Sequence, residues 1–567
     1  MSRRASLLLV AAVGLAATAL PLSPSAGDPS PLAGPGAHRF VAGVEGRTIV
    51  VEPPPTTPPR GLRVTSSAPR LVQSAADTFA LSSNPGASRT IFLDVDGHDM
   101  TGSQWDVEGW PDGVYPAFDL DGDPGSFSTA ERAVIQQVWA RVAEDFAPFD
   151  VNVTTAAPPE SDLTRTSSGD TRFGVRALVV GTARGDLNDY IQNSDACGGC
   201  VGVAYLDTFD RQLAREHPAL TFAGPLISAL GDSEPALAWQ LAETISHEVG
   251  HTFSLRHDRG PADKGGEYYE GTEPWSPIMG GGVYGLTQWS KGEYAGYTSA
   301  QTNADDLALI AQRAPYRTDD HGNGPGSARS LASTATASHT GIIHRADDQD
   351  AFVLTRSCTG PATISAVPAA LGPNLDIELR RVSASGSVLA TSNPPASDSN
   401  AWPPVTQGLG ASLNLPDVRG THYFVVRGGG QGAPANGGWS SYGSVGAYTI
   451  QVTTCADGPG DTPPPAPRPP LAPTGLTVAP GAKGKPVTVV VRWRASTTRG
   501  TPVTAYALTA RKHVKKRVTK TVTLVVPASA RSLNWKVGKG RWSVRVQARS
   551  AVGASPATAW SRQVAAR

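Results

Sequence analysis

Three histidines, His247, His251 and His257, constrain this chain more than any other feature of its sequence. His247 and His251 are four residues apart, which on an α-helix places them one turn apart on the same face, within reach of one ion. The spacing of apolar residues over 236–251 predicts that helix, with the pair at its C-terminal end. His257 follows six residues later, so the chain must turn just past the helix to bring a third imidazole back. Neutral imidazoles suit zinc, and three protein ligands leave a fourth position open for a reactant. Glu248 is adjacent and can lie beside that position, where it takes a proton from water and passes it to a leaving amine. The bland alternative is a polar helix end with three solvated histidines. With 11 histidines in 567 residues, a third one at the required offset is roughly a one-in-fifty coincidence.

The segment His247-Glu248-Val249-Gly250-His251-Thr252-Phe253-Ser254-Leu255-Arg256-His257 resembles the metzincin signature HExxHxxGxxH, and Ser276-Pro277-Ile278-Met279-Gly280 resembles the methionine turn that follows it. The resemblance implies a zinc endopeptidase acting on protein or peptide substrates, with Met279 supporting the site from beneath without binding the metal. For Asp258 it implies a supporting hydrogen bond under the site. Ser254 stands where the family has Gly, whose positive φ ends the helix; serine adopts that conformation at a cost of about 1 kcal/mol. The stretches 92–97, 119–123, 144–151 and 286–294 resemble bacterial secreted members, so the likeness is spread over most of residues 89–315. In that family an edge strand above the cleft pairs with the extended substrate, and residues 201–205 are the candidate here.

At 567 residues the chain exceeds one core, and its 61 glycines and 48 prolines favour linkers and β-rich units. Arg3 and Arg4, the apolar run 7–20 and the small residues up to 26 read as a cleaved export signal; no other stretch is long and apolar enough to span a membrane. Residues 27–88, rich in Pro, Ser and Ala, are expected to be a propeptide or tether without a core of its own. That stretch has no cysteine, so it cannot offer a thiolate to a metal. Residues 89–316 form the expected α+β zinc domain, with strands at 91–93, 149–153, 177–180 and 201–205. A capping box at Ser128 and Glu131 opens one helix, and Asn303 is the expected cap of another at 305–312. Residues 457–470 read as a Pro-rich linker.

Residues 317–456 resemble the bacterial pre-peptidase C-terminal β-sandwich through 347–352, 372–377 and 420–426; because relatives bind calcium, Ca2+ joins Zn2+ as a candidate cofactor. Residues 471–567 resemble a fibronectin type III domain through Pro473, Leu476, Trp493, Tyr506 and the strand 542–550. The expected architecture is therefore multidomain: an α+β metzincin-like catalytic domain followed by two all-β sandwiches. Nineteen of the 49 lysines and arginines, and none of the 49 acidic residues, fall at or after Leu471. A basic module on an acidic body predicts affinity for an anionic polymer such as teichoic acid, acidic polysaccharide or extracellular nucleic acid; solubility alone is the alternative. Four cysteines in an exported chain predict two disulfides, with Cys197 and Cys200 as a tight local pair.

Three further patterns carry less weight. Asp94 and Asp96 fit the start of a haloacid dehalogenase-type phosphatase, yet no later α/β succession follows. Asp119, Asp121 and Asp123 open like a calcium loop, but Pro124 and Ala130 stand where an EF-hand needs Gly and Glu. Residues 471–475 resemble a sortase signal without the apolar span that must follow. A non-catalytic binding protein with a retired zinc site is the rival reading, and the retained Glu248 speaks against it.

Overall fold

The computed structural model describes residues 39–567 apart from 45, 54–62, 65–69, 183–184, 232, 261–267, 295–304, 333–335, 416–418, 456–468, 484–486, 499–500 and 516. The export signal, Asn303 and most of the Pro-rich linker lie outside the described residues. None of the helices among them is long and apolar enough to cross a membrane.

The first unit is a seven-stranded mixed sheet with its two long helices against one face. Its elements are β1 (Arg39–Ala42), β2 (Thr48–Glu52), β3 (Arg89–Asp94), α1 (Thr129–Asp145), β4 (Val151–Thr154), β5 (Phe173–Val180), β6 (Gly202–Tyr205), β7 (Ala219–Phe222), α2 (Glu234–Thr252) and α3 (Asp306–Arg313). The strand order is β1-β2-β6-β7-β5-β3-β4. Strands β7, β5, β3 and β4 are mutually parallel, and β6 runs antiparallel to β7. β5 is buried at every position, as its unbroken run Val-Arg-Ala-Leu-Val-Val and the cover on both faces require. The Ser128–Glu131 capping box opens α1. Asp305 caps α3 by accepting from the Ala308 N–H. α1 and α2 pack together beneath the sheet, where Val134, Val138, Leu241, Ile245 and Val249 fill the core with Ala204.

Within the expected propeptide or tether, residues 27–88, the described parts have no core of their own but join that of the first unit. β1 and β2 form an antiparallel hairpin, and β2 pairs with β6, from Ile49↔Tyr205 to Glu52↔Gly202. Ile49 and Val51 are buried in a cluster with Trp105, Tyr205, Leu220 and Cys200 on the sheet's other face. Further on, the Gln136 side chain of α1 bonds Val72, Gln73, Ser74 and Thr78, tying 72–78 to the helix. The short run Thr-Ile-Val-Val is a sufficient strand signal, which averaging over a Pro-rich region hides.

The other two units are β-sandwiches. Residues 329–453 pair five strands against four, with Gln349–Arg356, Gly420–Gly428 and Ile377–Val382 central in one sheet and Gly446–Thr453 and Ala362–Pro368 central in the other. Residues 474–566 build a separate small core around Trp493, Tyr506, Trp535 and Trp542. Both disulfides form, Cys197–Cys200 and Cys358–Cys455. The first closes over Gly198 and Gly199, both at positive φ, immediately before β6.

The middle sandwich shares one continuous core with the first unit: Leu375, Ile377 and Val445 join the cluster that holds Phe146 and Trp289. Buried hydrogen bonds cross the boundary. The Ala447 N–H donates to Glu144 Oε1 at 2.9 Å, and Asn374 Nδ2 donates to Asp145 Oδ1 at 2.9 Å. Burial pushes the Glu144 carboxyl from its ordinary 4.5 up to about 8. A folded-state value above the unfolded one means that the folded protein holds the extra proton, so stability declines as pH rises from about 4.5 to 8. Asp145 and Glu243, raised to about 7 and about 8, act in the same sense. Glu144→Gln keeps the carbonyl acceptor for Ala447 and is expected to lessen the fall in Tm between pH 5 and pH 8.5, as read by calorimetry; an unchanged slope would refute the assignment.

Candidate metal centre

α2 is a 19-residue helix whose last turns carry His247 and His251 side by side on the face turned towards β6. The helix ends at Thr252, and Ser254 takes φ +78°, the left-handed turn expected at that position. The turn is closed by the Leu255 N–H donating to the Gly250 carbonyl at 3.1 Å. His257 then returns beside the other two, with ring centroids 5.0 Å from His251 and 5.3 Å from His247. The Nδ1–H of His247 donates to the Ile278 carbonyl at 2.8 Å, and that of His251 to the Leu255 carbonyl at 2.9 Å. These bonds leave the Nε2 lone pairs facing one common point. Burial pushes His251 down to about 3, which keeps its imidazole neutral.

Glu248 is buried, and neither carboxylate oxygen has a hydrogen-bond partner. Burial, aided by the charge of Glu52, raises its carboxyl well above the ordinary range. Three converging imidazoles beside the orphaned carboxylate of Glu248, with His247 Nε2 likewise without a hydrogen-bond partner, form a donor set that fits a metal ion such as zinc and a water molecule. Gly202 of β6 makes room for it, since a Cβ there would collide with Glu248 Oε1. Met279 is fully buried beneath α2, where a Cβ on Gly250 would come within 2.7 Å of its sulfur. The Asp258 N–H donates to the Met279 carbonyl at 2.7 Å, and the Tyr294 hydroxyl donates to Asp258 Oδ1 at 3.3 Å. Both residues therefore brace the floor of the site.

Sequence reasoning missed the fourth participant. Glu52 Oε1 lies 2.7 Å from His257 Nε2, 3.4 Å from His251 Nε2 and 3.5 Å from His247 Nε2. Burial raises this carboxyl, and the histidines outweigh that, holding it well below the usual range. Gly202 and Tyr268, whose ring centroid is 4.5 Å from that of His257, were also missed. Only Glu52 had a local signal, as the last residue of an apolar β-branched run. Ser254→Gly is expected to retain or improve metal content after dialysis, since glycine relieves a left-handed turn by about 1 kcal/mol. A clear loss of metal would show that the serine does more than turn the chain.

The remaining candidates sort differently. Asp119 Oδ1 accepts from the N–H groups of Asp121 and Gly122, and Asp121 Oδ1 from that of Asp123, as in a turn, while Asp119, Asp121 and Glu131 bring carboxylate oxygens within 4.8 Å of one another. Asp94 is buried in an ion pair with Arg176. In the middle sandwich, Asp319, His344 and Asp348 form one cluster, and Asp320, His321 and Asp350 another. In the last unit Trp560 lies between Arg511 and Arg545, whose guanidinium carbons stand 4.3 and 4.8 Å from its ring centroid.

No family model and no curated protein matches this chain. Among solved structures it is similar to the FN5 domain of Drosophila Lar, at 15% identity over 17% of this chain and 96% of that one, with a TM-score of 0.14. It is likewise similar to the fn3 domain of the human collagen alpha-1(XX) chain, at 23% identity over 19% and 92%, with a TM-score of 0.14. A third is the pre-peptidase C-terminal domain of a collagenase from Bacillus anthracis, at 15% identity over 23% and 99%, with a TM-score of 0.16.

Proposed function

We propose that this chain is an exported zinc-dependent endopeptidase, held near an anionic polymer by its basic C-terminal unit. One observation carries the reading: three Nε2 atoms converge beside the unpartnered carboxylate of Glu248, under a strand able to pair with an extended chain. His247, His251 and His257 would hold the zinc ion. When bound, zinc lowers the pKa of a water molecule and polarises a carbonyl. Glu248 accepts a proton from the attacking water on its carboxylate and returns it to the leaving amine nitrogen. β6 aligns the substrate backbone, and Met279 and Asp258 keep the histidines in place. The two disulfides and the N-terminal sequence support export. Zinc near one equivalent per chain, together with gelatin cleavage abolished by 1,10-phenanthroline and restored by zinc, is the expected result. Chelator-resistant cleavage would overturn the reading. For the basic unit, binding to polyphosphate or heparin is expected to weaken steeply with salt.

A further inference from the structure

β6 is the strand from which a substrate would hang, and its pairing edge is already taken. β2 runs antiparallel to it in a four-position register that ends with Glu52 opposite Gly202. In that register Ile49 and Val51 face the outer cluster, while Val50 and Glu52 face α2 and the histidines. Gly202 has no side chain, so Glu52 reaches the point where the three Nε2 atoms meet. The other strand of the hairpin covers the mouth: the Phe40 ring lies 5.3 Å from that of His257 and packs under Arg256. The next residue is Pro53, which has no N–H to offer the sheet, so the pairing ends there.

We propose that Glu52 is a fourth ligand of the metal centre and that hairpin β1–β2 keeps the precursor latent by filling the cleft as a substrate-like strand. This inference rests on reading the histidines as a zinc site. The carboxylate stands where water and a substrate carbonyl must bind, and the strand's backbone uses the edge that a substrate needs. Burial of the apolar side chains of Ile49, Val50 and Val51 holds the strand down. Because the segment belongs to the same chain, it competes at an effective concentration on the order of millimolar. A free peptide must exceed that to displace it. The missing cysteine in this region is therefore no obstacle to masking, since a carboxylate does the task.

The test uses the full precursor from Gly27 to Arg567 loaded with cobalt(II), as wild type, Glu52→Gln and Glu52→Ala. Glu52→Gln is isosteric and leaves the hairpin's apolar contacts intact, so it guards against loss of the fold. The visible d–d bands of both variants are expected to differ from those of wild type. Acetohydroxamate should bind Glu52→Ala at least tenfold more tightly than wild type, and phenanthroline should strip zinc from it at least tenfold faster. Casein cleavage by the Glu52→Ala precursor should likewise exceed that of wild type by at least tenfold. Stoichiometric cobalt with identical bands and identical acetohydroxamate affinity in all three proteins would overturn this inference alone. Failure of every form to take up cobalt would overturn the metal reading and this inference with it.

Discussion

Glu248→Ala is expected to lower casein cleavage by about 10²- to 10⁴-fold, the range that a positioned general base contributes. Metal content should stay at its wild-type level, because the three histidines and not Glu248 converge through Nε2. The same substitution is expected to raise Tm. Glu248 is a buried carboxylate whose two oxygens meet no donor, and removing such a group relieves a desolvation penalty that folding otherwise carries. Lost activity with gained stability is the signature of a residue retained for chemistry at the expense of the fold. Activity within a few-fold of wild type would refute the role assigned to Glu248. Lost activity with lost zinc would instead mean that it organises the ligands.

Ending the chain after Tyr316 is expected to abolish cooperative unfolding of the first unit or to lower its Tm by more than 10 °C. Leu375, Ile377 and Val445 of the middle sandwich lie in the same apolar cluster as Phe146 and Trp289. Exposing several such partners costs about 1.5–3 kcal/mol each, against a total stability of about 5–15 kcal/mol for a domain. The loss also reaches the histidines. Gln288 Nε2 donates to the Asn374 carbonyl and to Ser444 Oγ of the sandwich. The Gln288 carbonyl accepts from the Ile278 N–H at 2.9 Å, and the Ile278 carbonyl accepts from His247 Nδ1. Ending the chain after Cys455 should leave both cores intact, since the last unit has its own. A 39–316 fragment with the Tm of the longer chain would show that the shared core is dispensable.

The histidine helix, the capping box of α1, the central strands and the Cys197–Cys200 pair were legible because each rests on local spacing; Cys358 and Cys455, 97 positions apart, were left as the second pair. Ser254 at positive φ followed from the resemblance, in which a Gly of positive φ ends the helix at that place. What escaped depends on contacts distant in sequence. Glu52 meets His257 across 205 positions, and no periodicity reveals such a meeting. Gly202 matters because Glu248 comes to rest against it and Glu52 lies opposite it. The burial of Glu144 and Asp145 depends on the sandwich, through Ala447 and Asn374, 303 and 229 positions away. The strand Thr48–Glu52 within residues 27–88 escaped for a different reason: five residues were averaged into their Pro-rich surroundings.

The four-position pairing of β6 has a consequence for what such an enzyme could cut. A partner enters only as an extended strand, so a folded target must first release four consecutive residues from its own hydrogen bonds. The rate on native proteins then follows the population of locally opened segments. Each 1.4 kcal/mol of opening free energy slows cleavage about tenfold. Selectivity on folded targets would thus be set largely by the target, through its loosest stretch of backbone, and only secondarily by which side chains flank the bond.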